Sequence, residues 1–133
     1  MKKNLVVALL LTVGLLLASI TVVAHHSVSA EFDTTKRVTF TGTVKKIDWM
    51  NPHIYTHVEV KGADGKVIVY KVEGGPPNAL FRQGVRPEQL PIGTVVTCQN
   101  CSRSKSATSM NVNGRMVLQD GKQALGAPGG PGN

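Results

Sequence analysis

Beyond an apolar opening segment, apolar and polar residues alternate with the period of a β-strand in several short runs separated by turn residues. Val38, Phe40, Gly42 and Val44 share one side of the first run, and Thr39, Thr41, Thr43 and Lys45 the other. Ile47 and Trp49 resume the apolar set one step out of phase. In a period of two such a slip predicts a β-bulge near Lys45-Lys46. Asn51-Pro52 closes the run, because proline has no N–H for a ladder. A second strand is predicted from His53 to Val60, with Ile54, Thr56, Val58 and Val60 on one face and His53, Tyr55, His57 and Glu59 on the other.

The run GADGK carries the Asp-Gly signal of a hairpin turn, and VIVYKVEG, from Val67, predicts a third strand. Gly74-Gly75-Pro76-Pro77 ends it. NALFRQG then predicts a helix of about two turns, with Asn78 as N-cap and Gly84 as the stop. A fourth strand follows near Thr94 to Gln99 and a fifth from Ser109 to Leu118. Residues 121–133, which end in GAPGGPGN, offer little to bury and are read as a disordered tail. The order β-β-β-α-β-β makes the chain all-β and predicts a small OB-like barrel of five strands with one short helix, whose coiled first strand serves both halves of the sheet. A plain antiparallel sandwich is the alternative.

The opening segment, MKKNLVVALLLTVGLLLASITVVA, has two lysines, an apolar run and small residues before a cleavage point, the plan of a secretory signal peptide. Val22 and Ala24 suit cleavage after Ala24, which divides the chain into a signal peptide (1–24), an OB-like domain (25–120) and the tail (121–133). Val28-Ser29-Ala30 is a second acceptable site, and an uncleaved anchor of about 20 apolar residues is the competing reading. The expected location is periplasmic or secreted, with no stable membrane anchor after cleavage. Without Lys2 and Lys3, the 15 basic residues become 13 against 8 acidic ones, a net charge of +5. That charge is dispersed and not interleaved with aromatics, so a nucleic-acid partner is not expected.

The segments AHHSVSAEFD, VTFTGTVKKIDWMNPH, VYKVEGGPPNALFRQGV and LPIGTVVT resemble, in this order, a family of small exported bacterial proteins of unknown function. Its marks are AHHS near the start, W-x-NPH, and EGG-x-PNAL-x-R-x-G. The resemblance covers about residues 24–97 and implies an exported β-domain with no established activity. Cys98 and Cys101 depart from the family pattern.

All four histidines fall in two pairs, His25/His26 and His53/His57. Alternation sets His53, Tyr55 and His57 on one side of a strand, where the two imidazoles are read as converging on one ion. Neutral histidine suits copper, zinc and nickel. Cleavage after Ala24 would add the His25 amine and imidazole as a further chelate. The plainer alternative is a turn residue, an exposed strand residue and a frayed terminus. Cys98 and Cys101 are expected to form a local disulfide in an oxidising compartment; thiolate metal ligation and redox catalysis are less favoured, as no second cysteine pair or βαβ unit is present. Glu73, Gly74, Gly75, Asn78, Arg82 and Gly84 read first as a tight strand-to-helix turn, although Arg82 could contact an anion.

No G-x-S-x-G, H-E-x-x-H or phosphate loop is present, and catalysis is not expected. Two functional expectations remain. One is an exported metal-binding protein that takes copper, with zinc as the alternative, through His25, His26, His53 and His57. The other is a non-enzymatic module whose face around Trp49, Tyr55, Tyr70 and Arg82 receives a small molecule, a glycan or an envelope protein partner.

Overall fold

The computed structural model describes residues 28–125; residues 1–24, expected to be a signal peptide, and His25 and His26 lie outside them. A single helical turn, α1 (Val28–Glu31), leads into β1 (Phe32–Asp48), β2 (Tyr55–Lys61) and β3 (Val67–Glu73). Helix α2 (Pro77–Arg82) and a 3-10 turn (Pro87–Gln89) follow, then β4 (Val95–Ser104) and β5 (Asn111–Leu118). The strands close in the order β1-β2-β3-β5-β4, the five-stranded OB-like barrel that the element order predicts.

β1, 17 residues long, makes closure feasible. Its first part, from Phe32, pairs with β4, and its second, from Thr43 to Asp48, pairs with β2. The β1–β2 register shifts between Val44 and Lys46, which is the predicted bulge at Lys45. Around this bend the inward residues Val44, Ile54, Val58, Val72, Val96 and Val112 are at most 1% exposed. Complete burial of each such side chain favours the folded state by about 1.5–3 kcal/mol. Leu80 of α2 and Leu90 after the 3-10 turn join the same core.

Three expectations need correction. Asn78 is not the N-cap: α2 starts at Pro77 after Pro76, with no side-chain cap, because proline at the first helical position has no N–H to satisfy. Gly84 does stop the helix, with φ 79°. β4 does not end near Gln99 but runs on through Cys101 to Ser104, held by β1 on one side and β5 on the other. Residues 121–125 are not free tail: Gln123 bridges Val117, and Ala124 and Leu125 are buried in the core. Two apolar residues are enough to draw this short return onto the barrel; residues 126–133 lie outside the described range. Among the described residues, no helix is long and apolar enough to cross a membrane.

Candidate functional site

Two antiparallel registers build the site. Tyr55, the first residue of β2, stands opposite Asp48 on β1 and opposite Glu73 on β3. One step further along β2, on the same face, His57 stands between Lys46 and Lys71. His53 precedes β2, in the loop that follows the cis Asn51-Pro52 bond. The result is a polar row across three strands: carboxylate, phenol, carboxylate, with an imidazole at each end of the phenol's own segment.

Each imidazole takes one carboxylate. His53 lies 2.7 Å through Nδ1 from Oε1 of Glu73, and His57 lies 2.7 Å through Nε2 from Oδ2 of Asp48. Lys46 binds the other Asp48 oxygen at 2.6 Å, and the Tyr55 hydroxyl donates to Oε2 of Glu73 at 3.5 Å. The two rings therefore turn to different neighbouring strands. Four residues of extended chain also span about 13 Å, so His53 and His57 do not converge on one ion as their shared face suggests. Among the described residues, no group of three or more His, Cys, Asp or Glu side chains is placed to hold a metal ion.

The two halves differ electrostatically. Hydrogen bonding from Lys46, and then from His57, holds the Asp48 carboxyl below its ordinary value, so Asp48 is the charged acceptor and His57 the donor. Glu73 has only 5% of its side chain exposed. Burial raises its pKa; His53 opposes that rise and the Glu31 carboxylate adds to it. The Tyr55 phenol is likewise pushed up, first by burial, then by Glu73 and Glu31. Glu31 closes α1, so the chain that enters the barrel passes within electrostatic reach of the His53–Glu73–Tyr55 group.

A family of unknown function, DUF6152, matches residues 13–112. The chain belongs to that family. Comparison with curated proteins and with solved structures finds no match. The family stretch contains β1 to β4 and the first two residues of β5, both histidine–carboxylate pairs and the disulfide.

The remaining expected residues lie apart from this row. Trp49 packs edge-on against Phe81 of α2, with ring centres 5.5 Å apart, and its buried Nε1 has no partner among the described residues. The Arg86 guanidinium sits 4.6 Å over Phe81, while Arg82 is exposed. Tyr70 stacks on Phe40 at 4.1 Å between ring centres. A shallow depression of ≈ 470 Å³ is lined by Gly93, Thr94, Val95, Leu118, Gln119 and Asp120, none of them in the expected aromatic face. Cys98 and Cys101 are joined as a disulfide inside β4, both fully buried, which withdraws their sulfurs from metal ligation.

Proposed function

We propose that the protein is an exported metal-binding protein, of the small bacterial kind marked by AHHS, W-x-NPH and EGG-x-PNAL, that takes copper, with zinc as the alternative. His53 is its anchoring ligand. The observation that carries this reading is the His53–Glu73 pair: a carboxylate that fixes one ring nitrogen of a histidine leaves the other oriented and more basic, which is how metal-ligating histidines are commonly supported. His53 is one-third exposed, so Nε2 is within reach of an ion from solvent. His25 and His26 supply the further nitrogens. They stand three and two residues before Val28, a reach of about 10 Å from the start of α1, whose Glu31 acts on Glu73 and Tyr55. His57, turned toward Asp48, is an outer candidate rather than a co-ligand of His53.

Copper(II) titration of protein beginning at His25 tests this. His53→Asn keeps a donor at the Nδ1 position for Glu73 but removes Nε2, and should weaken binding at least about tenfold; His57→Gln, which keeps a donor to Asp48, should bind as the parent does. Equal affinity of His53→Asn and the parent would remove the reading. The module reading would then lead, supported by the exposed Met50 and Phe81 beside Trp49.

A further inference from the structure

β3 has an edge that nothing in the described structure pairs. Along its whole length, Val67 to Glu73, it pairs with β2, but β5 covers only Lys71, Val72 and Glu73 on the other side. Val67, Ile68 and Val69 are 54%, 41% and 41% exposed. The hairpin geometry says which backbone groups are free. The closing bond runs from Gly62 N–H to Lys66 O, and Lys71 N–H donates outward to Met110 O. With the two-residue period of an antiparallel ladder, Val67 and Val69 therefore also aim N–H and C=O away from β2. A stretch of three exposed β-branched residues with open backbone groups is what sheet edges are ordinarily built to avoid.

We infer that this edge is the contact surface for a second copy of the chain, with β3 pairing antiparallel to β3 across a two-fold axis at Ile68. The register follows from the free groups. Val67 of one copy opposite Val69 of the other, and the converse, satisfies all four outward backbone groups on each side, while a register centred on Val69 would ask for the Lys71 N–H already given to Met110. Ile68 meets Ile68 on one face, and Val67 meets Val69 on the other, so like packs against like in size. Charge agrees: pairing ends where β5 covers the backbone of Lys71, and the turn of the other copy brings its Asp64 carboxylate, 57% exposed, toward that lysine. Lys66 falls opposite Tyr70 rather than opposite a lysine.

The pairing is short, and an interface of this size is weak, with a dissociation constant on the order of 0.1–1 mM. Sedimentation of the purified protein from about 20 μM to about 2 mM should show monomer passing to dimer. Over the same range the Val67 and Val69 amides should exchange with solvent about two- to fivefold more slowly at high concentration, as the monomer fraction falls, while the Gly65 amide, already bonded to Gly62, keeps its rate. Val69→Lys puts a cation opposite Glu59 on β2, so the hairpin keeps a favourable partner, and the dimer should be lost. Monomer at every concentration, unchanged exchange at both amides, or a dimer that persists in Val69→Lys would each overturn the inference; the measurement on the unsubstituted protein stands whether or not the variant folds.

Discussion

His53 and Glu73 lie 20 positions apart in the chain and 2.7 Å apart in the barrel, where the loop before β2 meets the last residue of β3. The contact joins the W-x-NPH and EGG segments into one structural unit. It also leaves Glu73, 5% exposed, dependent on His53 and Tyr55 for its side-chain hydrogen bonds.

His53→Ala should therefore destabilise the fold at neutral pH by about 1–3 kcal/mol, the cost of a buried acceptor left without its donor. The deficit should shrink in acid. Burial already raises the Glu73 pKa, and loss of His53 removes an opposing influence. For a carboxyl raised in the folded state, stability is fully present below its unfolded value and falls as pH rises through the folded value. Urea unfolding of parent and variant at neutral pH and near pH 4 checks this; an equal deficit at both would mean that His53 acts only by packing.

Much of the site was legible in the chain, and the part that was not has a physical cause. The Asp-Gly turn fixes Gly62 against Lys66, and counting back from there places Tyr55 opposite Glu73 and His57 opposite Lys71. Asp48 could not be placed in the same way, because the bulge at Lys45 changes the β1 register just before it. The extent of β4 was hidden by its composition: Cys98 to Ser104 lacks apolar alternation because the strand shifts register between Gln99 and Ser102, and its inward positions are filled by the disulfide and Ser102. Ring direction was not legible either. Alternation tells that Tyr55 and His57 share one face of β2, but His53 lies in the loop before that strand, and the choice of Glu73 for one ring and Asp48 for the other depends on partners from two other strands.

Replacing Cys98 and Cys101 together by alanine should cost about 2 kcal/mol by the chain-entropy relation, a small value because only two residues separate them. Loss of packing at two fully buried positions adds to it. Thermal unfolding of the variant beside the parent measures the difference, and mass after alkylation without reductant should show no free thiol in the parent. An unchanged midpoint would count against a stabilising role for the bridge.

Gly42→Ala and Gly114→Ala should each destabilise by about 1–3 kcal/mol or more, since neither site has room for a methyl group. At Gly114 the new carbon would lie 2.8 Å from Cys101 Cα and 2.9 Å from its Cβ, and at Gly42 it would meet the Glu59 carbonyl and lie 2.8 Å from Val58 Cγ1. Backbone and core atoms cannot swing aside as a surface side chain would. Gly65→Ala is a useful contrast: open space surrounds that position, and only its φ of 79° penalises alanine. Denaturant midpoints of the three variants should separate crowding from backbone strain, and a Gly42→Ala protein as stable as the parent would show that β1 and β2 can move apart at their crossing.

Acid should weaken the fold through Asp33 and Asp48. The Thr35 hydroxyl and backbone amide both donate to Asp33, and hold its pKa at about 2. Lys46 and then His57 lower that of Asp48. A carboxyl depressed in the folded state stabilises it fully above the unfolded value of ~3.9, and that contribution is lost as pH falls through the folded value. Glu73 acts with the opposite sign: raised by burial, it favours the folded state more as pH falls through the ordinary glutamate range. The urea midpoint should thus change little between about pH 6 and pH 4.5, where the terms oppose, then fall steeply between about pH 4 and pH 2, where only the aspartates still change. Asp33→Asn and Asp48→Asn should each flatten the lower limb, and Glu73→Gln should leave it intact. A parent midpoint independent of pH below 4 would show that these hydrogen bonds persist in the unfolded chain or contribute nothing.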